Sequence, residues 1–462
     1  MKQVWAIARL TFWEGIRMRV VLVFLVVLGI LVLRMPFALR GDETLTGRLQ
    51  NFLAYSLGAL SVLLSLATIF FSCATLSNEL KERSLHLVVT KPVSRLQILI
   101  GKWVGVNLLN ILILLVCGSA IYGLAYFIRT RTPINERDRL NLRDTVWTAR
   151  EAAKPVVPRE EILEWAKSFV EEQIRTGTIS PVLEHKAIED RVKEGLSKWR
   201  RVENDYSHYF EFENMAPPEQ EDTVIQVRFK VIAVPLPMDE LVTIGWDFCD
   251  PDKGTPLSVT KWTRERSTDA HQFLVRAGPV IRDGRALLLV SNPPDPMRRT
   301  ALLFDGMDSL QLLYKVGGFE LNFVRALLII LLRVSLLSAL GVFFSVFVSF
   351  PVACLCVCAF YVICLGMPFW LESVGAGGNF DPKSDPYGVF GPTVRFMLLP
   401  VLQVACPNFS EYDGTNRLVE GLYVSYALVT RCAVHTLLYG AALLLLPGWL
   451  IFTRREVAEV QV

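Results

Sequence analysis

Long apolar runs with few or no charges alternate with charged segments along most of this chain. A helix needs about 20 mainly apolar residues to cross the hydrocarbon core of a bilayer. The runs of this length are residues 20–39, 52–76, 103–127 and 423–452. A longer run, residues 326–371, has room for two spans with a turn at Ser349-Phe350-Pro351. The pattern therefore predicts six transmembrane helices.

Basic residues cluster at alternate ends of these runs. They precede the first predicted span, separate the second from the third and follow the sixth: Lys2, Arg9, Arg17, Arg19, Lys81, Arg83, Lys91, Arg95, Lys102, Arg454 and Arg455. Six spans place all of them on one face, which the positive-inside rule assigns to the cytoplasm. We therefore predict a multi-pass membrane protein with both termini in the cytoplasm.

The N-terminal segment carries two tryptophans, Trp5 and Trp13, among its basic residues. This mixture favours a helix lying in the cytoplasmic membrane interface, although a plain charged flank is the alternative. At the other face, residues 393–405 form an apolar piece too short to cross a bilayer. It predicts a re-entrant or interfacial helix.

The polar insert between the third and fourth spans, residues 128–320, is long enough for a domain of its own. Three stretches of its first half, residues 143–154, 158–177 and 181–205, have helical character. Its second half holds short alternating segments rich in Val, Phe, Trp and Thr, separated by turns such as Asp283-Gly284. This order predicts an extracytoplasmic α+β domain, with helices followed by a β-sandwich or jelly roll. Two membrane parts, residues 1–127 and 321–462, flank it.

Composition and motifs narrow the function classes. The chain is 52% hydrophobic with a formal net charge of +3, and no basic face with aromatic residues indicates a nucleic-acid partner. No phosphate-binding loop, zinc-protease motif or nucleophile elbow is present, so we expect no enzyme activity, cofactor or metal in this chain. Cys354 and Cys358 favour helix packing over a metal site. A disulfide between Cys249 and Cys406 is left open.

Arg333 is the single charge within the long apolar run. An arginine there costs about 2.5–3.5 kcal/mol on insertion scales, so it needs a partner or a wet cavity. Bonds to backbone carbonyls of a neighbouring span are the alternative. We predict Arg333 as a residue of a translocation path or as an intramembrane polar contact.

The connection between the second and third spans, residues 77–102, carries more charged residues than an ordinary loop needs. A short helix over residues 77–90 is predicted, with Ser77 or Asn78 as its N-cap and Pro92 ending it. Ser94 is placed to cap the third span. Apolar residues such as Leu85 and Val88 suit a socket on a partner protein.

At this connection the sequence resembles the permease subunit of type-2 ABC exporters, in the branch that includes the permeases for nitrous oxide reductase maturation and gliding motility. The resemblance rests on IARLTFWEGIRMRVVLV, on NELKERSLHLVVTKPVSRLQILIGKW and on the SFPVACLCV turn. It implies that the connection is a coupling helix that docks into a separate ATPase subunit. The residues that match this role are Glu79, Glu82, Arg83, Ser84, Lys91, Pro92, Ser94 and Arg95. Ser84 stands where the family often has glycine.

The resemblance implies an ATP-driven exporter permease in the lipid bilayer of the inner (plasma) membrane, paired as a homo- or heterodimer. The insert is not part of the family's basic pattern, so it is a candidate to bind an extracytoplasmic partner or cargo. Two other functions remain open from the sequence. One is a mechanotransmitter that moves the outer domain, and the other is a membrane-anchored binding or scaffold protein.

Overall fold

The computed structural model describes residues 2–38, 44–81, 93–131, 136–178, 180, 184–217, 223–257, 260–278, 280–294, 299–306, 308–369 and 408–454. The chain splits into two units. One comprises Met1–Trp147 with Gly318–Val462, and the other comprises Thr148–Gly317. The inserted unit thus begins at Thr148, whereas the sequence placed its start at residue 128.

The first half of the helical unit is a series of helices. They are α1 (Lys2–Arg17), α2 (Arg19–Ala38), α3 (Leu45–Lys81), α4 (Arg95–Arg129) and α5 (Glu136–Asn141), followed by a π-helical turn (Leu142–Val146). Helix α3 lies at the centre of the unit, and its inner residues pack in one apolar cluster with α4 and with the helix that begins at Phe319. Its N-terminus is fixed by the buried Asp138 of α5, whose carboxylate accepts from the Leu45 N–H at 2.9 Å and from the Thr46 hydroxyl at 2.7 Å.

The described residues of the inserted unit form two helices and eleven strands. These are β1 (Thr148–Ala153), α6 (Arg159–Arg175), α7 (Glu184–Trp199), β2 (Arg201–Val202), β3 (Ser207–Phe212), β4 (Val224–Lys230), β5 (Ile232–Val234), β6 (Leu241–Cys249), β7 (Lys261–Arg266), β8 (Ala270–Arg276), β9 (Ala286–Ser291), β10 (Ala301–Leu303) and β11 (Leu310–Gly318). They form three sheets of order β1-β11-β4-β8, β2-β10-β5 and β3-β9-β6-β7. The sheets share one core, whose largest members include Trp246, Phe210, Phe229 and Phe304.

The predicted strands of this unit are all present, and the turn at Asp283-Gly284 has both residues at positive φ. Two of the three predicted helices are also present, as α6 and α7. The third prediction is wrong, because residues 148–153 of the stretch 143–154 form strand β1. Its alanines and its glutamate favour a helix locally, but pairing with β11 overrides that preference.

The second half of the helical unit comprises α8 (Phe319–Ser345), α9 (Phe350–Leu365), α10 (Gly414–Val419), α11 (Tyr426–Ala433), a π-helical segment (Val434–Ala442) and α12 (Leu443–Arg454). Ser349 is the N-cap residue of α9 and proline follows within its first turn, so the predicted turn between α8 and α9 is confirmed. Helices α3 and α8 approach closely, because a Cβ on Gly341 would lie 1.8 Å from the Ser72 hydroxyl. Small residues permit such contact between membrane helices.

Three of the described helices, α3, α4 and α8, are each long and apolar enough to cross a membrane. Helices α1 and α2 pass the same test only as a pair, bent by 63°. Helix α9 has 16 residues, and the last predicted span is divided among α11, the π-helical segment and α12. The described residues therefore support three or four spans, and six remains a prediction.

Candidate coupling site where helix α3 ends and helix α4 begins

The predicted coupling residues lie on both sides of the connection from α3 to α4. Glu79 belongs to the last turn of α3, while Ser94 and Arg95 lie at the start of α4. The other five, Glu82, Arg83, Ser84, Lys91 and Pro92, lie outside the described residues, as does most of the predicted helix over residues 77–90. Helix α3 continues through Ser77 and Asn78 to Lys81. The prediction that one of these two residues is an N-cap is therefore wrong.

An ion pair joins the two helices at the base of this connection. The Glu79 carboxylate lies 2.8 Å from the Lys102 ammonium, and the two side chains are 21% and 3% exposed. Lys102 also donates to the Thr75 carbonyl oxygen at 2.9 Å. Both of these contacts join the buried ammonium to α3, although Lys102 itself belongs to α4. The pair therefore fixes the end of α3 against the first turns of α4.

Ser94 and Arg95 fix the start of α4. The Ser94 hydroxyl accepts from the Gln97 N–H at 3.3 Å, and the Gln97 side chain accepts from the Ser94 N–H at 3.1 Å. This reciprocal capping box confirms the predicted cap. The Arg95 guanidinium donates to the Phe452 carbonyl oxygen and lies 5.3 Å from the centre of the Phe452 ring. The start of α4 is thereby tied to the last turn of α12.

An apolar cluster supports these polar contacts. It draws residues from the end of α3, the start of α4, the end of α8 and helix α12: Leu76, Ile98, Leu99, Ala339, Val342, Val346, Leu445 and Phe452. Four helices of the bundle therefore converge on the base of the connection.

Helix α1 packs along the first turns of α4. A Cβ on Gly101 would lie 2.8 Å from the Ile7 side chain, and one on Gly105 would lie 2.6 Å from the Ala8 carbonyl oxygen. The two glycines, four residues apart, let the helix backbones touch. Trp5 and Trp13 remain exposed on α1, 59% and 48% respectively. The arrangement agrees with the predicted N-terminal helix, which here also contacts the base of the connection.

Arg333, the predicted intramembrane residue, lies on α8 away from this site. Its guanidinium donates to the Ser61 hydroxyl of α3 at 3.3 Å and to the Phe409 carbonyl oxygen at 3.1 Å. It also lies 5.1 Å from the centre of the Phe409 ring. Among the described residues its contacts are thus neutral oxygens and a ring, and Arg333 connects α3 and α8 to residues 408–412.

The polar side chains within the spans mostly serve helix packing. Thr68 of α3 donates to Asn110 of α4 at 2.9 Å, and Asn107 donates to the Ser338 hydroxyl of α8 at 3.2 Å. Cys73 and Cys354 both lie buried in one apolar cluster. Within the described part of the chain, no group of three histidines, cysteines or carboxylates is placed to hold a metal. Cys406 lies outside that part.

Sequence reasoning missed the role of Lys102. It counted Lys102 as one of the cytoplasmic charges, whereas the structure pairs it with Glu79, 23 positions earlier. The available signal was its place inside an otherwise apolar helix, where a charge requires a partner. The Arg333 contact with Ser61, 272 positions away, had no comparable signal.

Helices α3, α4 and α8, each long and apolar enough to cross a membrane, indicate a multi-pass membrane protein. Residues 5–139 match the sequence profile of a family described as ABC-2 family transporter protein. This match runs from Trp5 in α1 to Arg139 in α5 and includes the whole α3–α4 connection. It confirms the resemblance to type-2 ABC permeases over that part. Comparison with curated proteins and with solved structures found no match. The permeases of this family are membrane transport components that work with an ATPase partner.

Proposed function

We propose that this chain is the permease subunit of an ATP-driven ABC exporter and that the α3–α4 connection couples a separate ATPase subunit to the membrane helices. The family match across residues 5–139 carries the proposal, because it includes the connection and both helices that it joins. The fixed base, with the Glu79–Lys102 pair and the Ser94 cap, supports it.

The proposed mechanism involves a pair of permease subunits and an ATPase. Two permease subunits, identical or different, lie side by side in the inner membrane with both termini in the cytoplasm. Closure of the ATPase subunits on ATP pushes on residues 82–92, and the packed helix ends pass the displacement to α3, α4 and α8. Arg333 then holds or releases residues 408–412 through its bond to Phe409. The chain itself needs no catalytic residue for these steps.

The Thr148–Gly317 unit gives a second function some support. It has its own core and lies outside the matched residues, so it can receive the ATP-driven motion as a moving part. In this mechanotransmitter alternative, the outer unit acts on an extracytoplasmic partner and no substrate crosses the bilayer. Substrate-dependent ATPase stimulation in sealed vesicles, with transport measured in parallel, separates the two functions.

Co-purification from native membranes tests the main proposal. The wild-type protein is compared with Glu82→Ala/Arg83→Ala, and the control is Glu172→Ala/Arg175→Ala, which removes an exposed ion pair of α6. We expect an ATP-binding subunit to accompany the wild type and the control but to be lost from the first variant. Absence of any ATPase from the wild-type sample contradicts the proposal and favours a binding or scaffold role.

A further inference from the structure

We infer that Glu79 and Lys102 act as a positioning pair: they clamp the two ends of the α3–α4 connection together, so that ATP-driven motion reaches the far end of the helical unit. The inference rests on the proposed coupling to an ATPase. It assigns to Lys102 a role in transmission rather than in ATPase binding.

The first argument is the position of the pair. Helix α3 ends at Lys81, just after Glu79, and helix α4 begins at Arg95, shortly before Lys102. A force applied to such a connection can splay the two helix ends, and then little of it reaches the rest of the bundle. A bond directly across the base prevents this movement. The second contact of Lys102, to the Thr75 carbonyl one turn earlier on α3, widens the area that is held.

The second argument is the burial of the charges. The Lys102 side chain is 3% exposed, and it lies in a helix with an otherwise apolar neighbourhood. Replacing a buried ion pair by apolar residues is often neutral or stabilising, so a contribution to stability does not by itself explain why such a pair is present. Ionisable residues among membrane helices more commonly mark function.

The same two helices provide a comparison. Thr68 and Asn110 also connect α3 to α4, through a buried hydrogen bond between neutral groups. Asn110 lies eight residues beyond Lys102, about 12 Å along the helix axis. If any buried polar contact between α3 and α4 served equally well, removing the Thr68–Asn110 bond would weaken transmission to the same degree.

The test uses the intact complex with its ATPase in lipid nanodiscs. Amide hydrogen exchange of residues 408–424, at the opposite end of the unit, is measured without nucleotide and with ATP plus orthovanadate. The variants are Glu79→Gln, Lys102→Met and the exchanged pair Glu79→Lys/Lys102→Glu, and Thr68→Val is the control. ATPase stoichiometry is recorded for each sample.

We expect the nucleotide-dependent change in exchange to fall about tenfold in both Glu79→Gln and Lys102→Met, within the range of known coupling effects. Lys102→Met should keep the ATPase bound. The exchanged pair restores the change, and Thr68→Val leaves it intact. Should Lys102→Met fail to fold, Glu79→Gln carries the test, because it keeps the size of the side chain and removes only its charge.

Three results overturn the inference while leaving the proposed function intact. The single variants can retain the wild-type change, the exchanged pair can fail to restore it, or Thr68→Val can abolish it equally. Absence of an ATPase from the wild-type complex contradicts the proposed function itself, and it therefore also overturns the inference that rests on it.

Discussion

Gly105 permits the closest contact between α1 and α4, and an added methyl group there separates the two helices. The Cβ of Gly105→Ala would lie 2.6 Å from the Ala8 carbonyl oxygen and 2.7 Å from the Thr11 Cβ. Ordinary contact begins near 3.4 Å, so the helices must part by roughly 0.8 Å. Because one obstructing atom belongs to the backbone, a change of rotamer cannot relieve the clash. Overpacking of this kind costs about 1–3 kcal/mol.

Gly123 provides the matched control in the same helix. A Cβ there meets nothing within 4 Å, so Gly123→Ala gains only the helix preference of alanine, about 1 kcal/mol. The difference between the two variants therefore isolates the packing of α1 on α4.

The assay is the rate of trypsin cleavage at Arg9 and Arg17, both exposed on α1, in the detergent-solubilised protein. A loss of about 1–3 kcal/mol raises the open population, and hence the cleavage rate, about 5- to 150-fold in Gly105→Ala. Gly123→Ala should cleave like the wild type. Equal cleavage of the two variants would refute the packing that the structure gives to α1.

Three further predictions concern single side chains. Asp138→Ala removes the acceptor of the first N–H groups of α3 and should lower the unfolding free energy by about 1–3 kcal/mol in urea titrations, whereas Asp138→Asn should lose less. Arg333→Met removes two hydrogen bonds, but it also removes the cost of placing a charge within the membrane, so overall stability should change little. Amide exchange of residues 408–412 should rise, and unchanged exchange there would contradict the contact with Phe409. Burial lowers the pKa of His208 in the folded protein below its ordinary value of 6.5. In acid the unfolded state therefore binds more protons than the folded state, so stability falls as the pH drops below 6.5. His208→Gln should lack this part of the loss in pulse proteolysis at pH 7.5 and 5.5; equal losses in both proteins would exclude it.

Local signals in the sequence predicted much of the fold. The alternation of apolar and polar residues located the strands of the inserted unit. Ser94 was predicted as a cap from its own residue type, and its partner in the structure, Gln97, lies only three positions away. The same reliance on local preference failed at residues 148–153, where pairing with β11 makes a strand from a helix-like sequence. Tertiary pairing has no short-range signature in such cases.

The candidate site shows the same division between local and distant contacts. The charged connection was evident from its composition, and Glu79 was recognised as part of it. Its bond to Lys102 was not predicted, because nothing in the spacing of the two residues shows that α3 and α4 run side by side at that level. The approach of α1 to Gly105 depends in the same way on helix packing rather than on the helix's own sequence.

The proposed function requires that residues 82–92 contact an ATPase subunit. Site-specific photo-crosslinking in native membranes tests this contact directly. A photoreactive amino acid is placed at Ser84, and a second protein carries it at Glu164, an exposed position of α6 in the inserted unit. The account predicts a crosslink from position 84 to an ATP-binding subunit and none to that subunit from position 164. Crosslinks from position 84 that never contain an ATPase, in membranes where the protein is fully folded, would contradict it.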